Sequence, residues 1–265
     1  MGDHTSHVTY GTGVTCPLYR HHPSQVAQAF ASLGILTPGR VFLGVGTGEA
    51  LNEQASTGRY DRYPERRDRL VEAITLIRKL WTGERTTYEG EYYRTDQFKL
   101  YDVPDEPVPI YVAASGPKSA YLAGRYGDGW VAQTKDIADA RLHSEFARAA
   151  GRNPDAMPKL VETWVVVGDR AQAEYAANQW RFTPGGFGDL LYQPNPVTIQ
   201  QIAEKRWPLA EVYKSWPLGT DPEVHIKALQ KIVDVGGIPM VHSGQKDQAR
   251  VIDFYGREVL PHVHR

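Results

Sequence analysis

The sequence predicts an α/β fold with a parallel sheet, and three observations carry that reading. Short apolar runs alternate with longer amphipathic segments, the rhythm of parallel strands joined by helices. The run Arg40-Val-Phe-Leu-Gly-Val-Gly-Thr-Gly-Glu-Ala-Leu-Asn52-Glu53 passes from a strand covered on both faces into a glycine-spaced loop that ends in an acid. At 265 residues the chain has the size of a single α/β barrel, so one domain over residues 1–265 is expected.

Taken in order, a first strand is expected over residues 8–14. Residues 23–36 follow as a helix, with Pro23 suited to its first turn and Val26, Phe30 and Leu33 on one face. A second strand, 41–46, precedes a helix over 64–81. Its apolar stripe is Leu70, Ile74, Ile77, Leu80 and Trp81, and Gly83 ends it. Residues 86–93 alternate around Gly90 and read as an inserted β-hairpin. Further strands are expected at 108–113, 129–132, 160–167 and 238–242. Residues 182–217 carry Pro184-Gly-Gly-Phe-Gly188, Gln193-Pro-Asn-Pro196, Trp207, Tyr213 and Trp216. They read as a long lid-like loop or substrate wall, with disorder as the alternative. Six βα units pose a geometric question, because a parallel barrel closes with eight strands. Either the sheet is open or two units are missing.

Charge is balanced, with 30 Lys and Arg against 31 Asp and Glu, so no net field favours nucleic acid or an anionic membrane. A small-molecule partner is expected. Cys16 stands alone, which excludes an internal disulfide and leaves too little sulfur for a structural zinc site. No metal is expected. The start, Met1-Gly-Asp-His-Thr-Ser-His7, lacks the character of a leader, and no stretch reaches the ~20 apolar residues of a transmembrane span. As written, the chain reads as cytoplasmic.

Chemistry is expected where the strands end. Gly46 and Gly48 let the backbone turn sharply and approach a ligand, and Glu49 follows them; the competing reading is a tight turn with a capping acid. Ala113, Ala114, Ser115 and Gly116 lie between a buried strand and a helix, where small side chains and N–H groups suit a phosphate, or simply make an ordinary βα turn. Gln133 and Lys135 end the next strand, and a surface lysine is the default for the latter. His21, His22 and the C-terminal histidines show no ligand spacing.

Several runs resemble the deazaflavin (coenzyme F420)-dependent branch of the bacterial luciferase-like superfamily, and within it the hydroxymycolic acid dehydrogenases and glucose-6-phosphate dehydrogenases. They are Gly11-Thr-Gly-Val-Thr-Cys-Pro17, Gln28-Ala-Phe-Ala31, Gly44-Val-Gly-Thr-Gly-Glu-Ala-Leu-Asn-Glu53, Tyr101-Asp-Val-Pro104, Ala113-Ala-Ser-Gly-Pro117 and Ala123-Gly-Arg-Tyr-Gly-Asp-Gly-Trp130. Ala132-Gln133 and Gly219-Thr-Asp-Pro222 favour the hydroxymycolic type. The resemblance implies a TIM barrel, incomplete at the N-terminus, in which residues 8–14 form the third strand. The family's Asp-His motif, with its presumed base, belongs to the absent second strand; Asp3-His4 has the same letters before a strand instead of after one.

The resemblance also assigns roles. Gly13-Val14 matches a non-proline cis peptide that bulges against the deazaflavin ring, with a plain strand end as the alternative. Cys16 stands where relatives often have Thr near the ring or ribityl chain, although lone cysteines are commonly small buried hydrophobes. Glu49 faces the ring and the reacting carbon, Asn52 reaches the ribityl chain or is solvated, and residues 113–116 take the phosphate arm. Lys135 meets the acidic tail of the cofactor or the substrate. The implied activity is hydride transfer from a secondary alcohol on a lipid-like substrate to coenzyme F420, giving a ketone, with FMN as the alternative cofactor. The alternatives are glucose-6-phosphate oxidation, for which Lys205 and Arg206 are the candidate cations, and a shortened paralogue that binds deazaflavin without turnover. A homodimer is implied, as is export to the cell envelope should a leader precede the given start.

Overall fold

A computed structural model describes residues 2–186 and 188–264; Met1 and Phe187 of the runs quoted above, and Arg265, lie outside the described residues. The elements in order are β1 (Tyr10–Gly11), α1 (Pro23–Leu36), β2 (Val41–Val45), α2 (Glu53–Thr57), α3 (Tyr63–Leu80), β3 (Thr86–Glu89), β4 (Arg94–Phe98) and β5 (Ile110–Ala113). Next come α4 (Pro117–Tyr126), β6 (Gly129–Gln133), α5 (Thr134–Ile137), α6 (Ala140–Ala149), β7 (Lys159–Trp164), β8 (Val166–Val167) and α7 (Arg170–Gln179). The last are α8 (Pro196–Arg206), α9 (Leu209–Tyr213), β9 (Leu218–Gly219), α10 (Pro222–Asp234), β10 (Ile238–His242) and α11 (Gln248–Phe254). Two compact units result: one runs to Val131 and takes in Ala140–Pro158, and the other holds Ala132–Asp139 and everything from Lys159.

In the first unit β2 pairs in parallel with β1 and with β5, and β5 pairs in parallel with β6. Leu43, Val45 and Ile110 are fully buried, as strands covered on both faces require. The helix 23–36 begins as its sequence predicts, because the His22 ring nitrogen accepts the Ser24 N–H at 3.2 Å and Pro23 fills the first turn. The stripe of α3 is buried from Leu70 to Leu80, and the Trp81 indole N–H donates to the Ala27 carbonyl at 2.8 Å, tying this helix to α1.

Four elements differ from expectation. The strand expected over 160–167 divides at Val165 into β7, which pairs with β10, and β8, which pairs with β9. The first strand pairs over two residues; beyond Gly11 the ladder gives way to a Thr12 hydroxyl donating to the Gly44 carbonyl (3.0 Å) and a lone bridge between Thr15 and Val45. The hairpin extends to Phe98, because the Glu72 carboxylate accepts the N–H groups of Glu91, Tyr92 and Tyr93 and so fixes its turn after Gly90. Residues 182–217 are not a long loop. They form short 3-10 turns, α8 and α9, with Asn195 capping α8 through the N–H groups of Val197 and Thr198 and Pro196 opening it. The Asn-Pro signal was in the sequence, outweighed by the surrounding Gly and Pro.

In the second unit β7 and β10 pair in parallel over five residues, as do the short β8 and β9. A cluster of Val165, Val167, Leu229, Val251, Tyr255 and Val259 forms its core. His225 is fully buried there, with Nδ1 accepting from the Tyr255 hydroxyl (2.7 Å) and Nε2–H donating to the Gly219 carbonyl (3.1 Å). Burial lowers its pKa below the usual 6.5. The folded state therefore binds fewer protons than the unfolded state as pH falls below about 6.5. The His225 contribution is complete above that value and is lost progressively below it. Urea unfolding between pH 8 and pH 5 should show this fall, reduced in His225→Gln; equal pH dependence in the two proteins would rule out the assignment.

Candidate functional site

Three segments meet at the strand ends of the first unit. The Gly13–Val14 peptide is cis, as the resemblance implies, and Val14 leaves 39% of its surface exposed. A Cβ built on Gly46 would lie 2.8 Å from Val14 Cγ2 and 3.6 Å from Ala113 Cβ, so these segments touch across β2. The Gly46 N–H also donates to the Thr15 carbonyl at 2.9 Å. Gly48 turns the chain at φ +71°, packed so closely that a Cβ would stand 2.7 Å from Cys16 Sγ and 2.8 Å from Glu53 Cγ. The Tyr60 hydroxyl donates to the Gly48 carbonyl at 2.7 Å and holds the turn from the other side.

The turn delivers Glu49 half-buried, its backbone carbonyl accepting the N–H groups of Asn52 (3.1 Å) and Glu53 (2.9 Å). Asn52 is exposed and its Nδ2–H donates to Glu49 Oε2 at 3.4 Å, so the two side chains present a carboxylate and an amide together. Cys16 is buried beneath Gly48. Burial first, and then the Glu53 charge beside it, pushes its thiol up to about 12, so it stays protonated.

Ala113 ends β5, and Ala114 is held in the backbone by its N–H to the Val131 carbonyl (3.0 Å) and by the Trp130 indole donating to its carbonyl (2.9 Å). Trp130 is fully buried and stacks on Phe146, which makes this a rigid anchor. Gly116 caps α4 before Pro117, with the Ser119 hydroxyl accepting its N–H and donating to its carbonyl, and Ser115 lies exposed at the mouth. An added Cβ at Gly13 meets nothing within 4 Å, and at Gly116 meets nothing nearer than Ser119 Oγ at 3.9 Å. Two backbone surfaces are thus bare where a flat ring and an anion would each need close approach, and the residues fit a cofactor with both parts.

In the second unit, Gln133 donates its N–H to Asp136 Oδ2 (3.1 Å) and its Nε2–H to Glu162 Oε2 (3.2 Å). Burial raises the Asp136 pKa. Lys135 is exposed on α5. Residues that sequence reasoning passed over also meet there. Glu162 pairs with His242 Nε2 at 3.4 Å, and His242 lies against Trp164, itself packed on Trp180 and Trp216. The signal was present, since Glu162 is a charged residue inside an apolar strand run and His242 ends another. Asp3 and His4 sit exposed in a 3-10 turn before β1. Among the described residues no cluster of His, Cys, Asp and Glu is arranged to hold a metal ion.

The chain matches the luciferase-like monooxygenase family over residues 1–212 and belongs to it. It is 56% identical to an F420-dependent hydroxymycolic acid dehydrogenase of Mycobacterium tuberculosis, over 99% of this chain and 72% of that protein. It is 38% identical to an F420-dependent glucose-6-phosphate dehydrogenase of Nakamurella multipartita, over 99% of this chain and 80% of that protein. The fold matches an F420-dependent secondary alcohol dehydrogenase in complex with an F420-acetone adduct at TM-score 0.89 and 32% identity, over 100% of this chain and 82% of that one. The expected luciferase-like barrel class is thereby established for the chain.

Proposed function

We propose that this chain is an F420-dependent oxidoreductase that moves a hydride from a secondary alcohol of the hydroxymycolic, lipid-like kind to F420 while the hydroxyl proton passes to water, and so yields a ketone. The observation that carries it is the meeting of Val14, Gly46 and Ala113 at one set of strand ends, beside the Glu49–Asn52 pair. The relatives named above supply the cofactor and the reaction class. When bound, F420 accepts or donates a hydride at a ring carbon.

The residues of the chain then have distinct tasks. Gly13 and Val14 offer a bare, apolar surface to a ring face, and Cys16 supports the loop from below. The small side chains of residues 113–116 leave room for a phosphate beside the first turn of α4, whose early N–H groups beyond Pro117 have no intrahelical partner. Glu49 places negative charge where the alcohol carbon becomes electron-poor, and Asn52 steadies that carboxylate. By the resemblance Gln133 contacts the cofactor and Lys135 the substrate or the cofactor's acidic tail; within the second unit Trp164, Trp180 and Trp216 pack as an aromatic cluster, which suits an apolar chain better than a sugar phosphate.

Glucose-6-phosphate is the weaker reading. Its candidate cation Arg206 is engaged by Asp189 at the end of α8 and is poorly placed to add to a phosphate cluster with Lys205. A cytoplasmic homodimer is proposed from the sequence and its family resemblance. No helix among the described residues is long and apolar enough to cross a membrane. The test is to add F420 to the purified protein, follow the cofactor fluorescence for binding, and then add a secondary alcohol. Loss of the oxidised cofactor's visible absorbance is expected with an apolar alcohol and little with glucose-6-phosphate. Turnover of the sugar phosphate alone would reverse the substrate assignment, and binding without any turnover would favour the non-catalytic paralogue.

A further inference from the structure

We infer that Glu53 is a positioning residue for Glu49: a buried carboxylate that locks the glycine turn onto the segment following Cys16. The inference rests on the functional reading above for its consequence in turnover, and on geometry alone for the lock itself. Glu53 is fully buried, an uncommon place for a carboxylate and a costly one unless its charge is compensated. Its Oε2 accepts the Arg20 backbone N–H at 3.3 Å. Its Oε1 accepts no hydrogen bond and stands 3.7 Å from an Arg20 guanidinium nitrogen. Arg20 is thus gripped through main chain and side chain by one carboxylate.

The same residue is tied to the turn. Its own N–H donates to the Glu49 carbonyl at 2.9 Å, and its Cγ lies where a Cβ on Gly48 would have to go. The Cys16 thiol, protonated, fills the remaining side of that contact at Gly48. Glu53 therefore touches the turn immediately before Glu49 and bonds to Glu49 itself, while its carboxylate is anchored on a separate segment 33 residues away in sequence. A capping acid at the start of α2 would be expected to face solvent, near the N-terminal N–H groups. This one faces inward and serves the turn.

The test compares wild type with Glu53→Gln, which keeps the shape and one acceptor but gives up the charge, and with Arg20→Gln, which removes the anchor's half-exposed guanidinium and leaves Glu53 in place. We expect Glu53→Gln to lower kcat about 10-fold with the alcohol KM within about 2-fold, because a misplaced group costs rate more than affinity. Arg20→Gln should lower kcat in the same direction. Hydrogen exchange at the Asn52 and Glu53 amides, which the Glu49 carbonyl accepts, should quicken at least about 10-fold in both variants while the β2 amides stay protected. Unchanged exchange at those amides in folded Glu53→Gln overturns the inference, as does unchanged kcat in an active protein. If Glu53→Gln fails to fold, Arg20→Gln decides by the same two readings. A wild type that neither binds nor reduces F420 sinks the functional reading alone, since the exchange measurement needs no cofactor.

Discussion

Gly44→Ala is expected to destabilise the protein by about 3 kcal/mol or more, the upper range for overpacking a core position. The added Cβ would stand 1.9 Å from the Thr12 carbonyl oxygen and 3.0 Å from the Thr12 carbonyl carbon and from Val14 Cγ1. A flexible side chain could swing aside from such a contact, but a carbonyl oxygen moves only with its backbone. That backbone is held on both sides of the clash, by the Thr12 hydroxyl and the Thr15 N–H, which both donate to the Gly44 carbonyl, at 3.0 and 2.8 Å. Relief would require the whole segment 12–15 to lift from β2, and with it Val14, which belongs to the candidate site. For a chain of this size the loss corresponds to a Tm lower by roughly 6–12 °C. A Gly44→Ala protein that melts with the wild type would show that the approach of these two backbones is not required. Deazaflavin affinity should fall in step with stability, because one displacement causes both.

The same position shows what the sequence could and could not disclose. Gly44 and Gly46 are legible as a strand ending in a permissive turn, and the helices over 23–36 and 64–81 follow from apolar spacing and from Pro near their first turns. Local signals suffice where an element is amphipathic and capped within itself. The first strand is shorter than the expected 8–14 because beyond Gly11 its partner hydrogen bonds come from a Thr side chain and an isolated bridge, which no periodicity encodes. The hairpin boundary depends on Glu72, a residue of α3 that sits 18 positions before Gly90 in the chain. Residues 182–217 read as a loop because Pro184-Gly-Gly and Gln193-Pro-Asn-Pro196 break the local pattern, although Asn195-Pro196 is a sound helix start and Ile199, Ala203 and Val212 are buried.

Within the candidate site, Glu49 is marked in the sequence by the glycines before it, whereas nothing in the sequence marks Glu53 as buried. Glu162 and His242 are separated by 80 positions and meet because β7 and β10 pair in parallel. Long-range pairing of this kind leaves no mark on either local sequence. The resemblance supplied the cis Gly13–Val14 peptide, where the residues themselves allowed a plain strand end.

Glu49→Gln should lower kcat about 10²-fold, the scale of losing a positioned acid–base or charge-stabilising group, while leaving Tm close to wild type. The substitution is nearly isosteric. Its carbonyl oxygen can still accept from Asn52 Nδ2, and the backbone bonds from Asn52 and Glu53 to the Glu49 carbonyl are untouched. What disappears is a full negative charge on a half-buried side chain beside the strand ends. As a hydride leaves an alcohol carbon, that carbon becomes electron-deficient, and the charge is worth most at that moment. The loss should therefore appear in kcat, with the alcohol KM and the F420 dissociation constant changed less than about 5-fold. Asn52→Ala should give a smaller loss, about 10-fold or less, because it frees the carboxylate without removing it. Equal losses in the two variants would shift the catalytic weight from the charge to its orientation. A Glu49→Gln enzyme turning over at the wild-type rate would remove Glu49 from the reaction and leave it as a fixture of the turn.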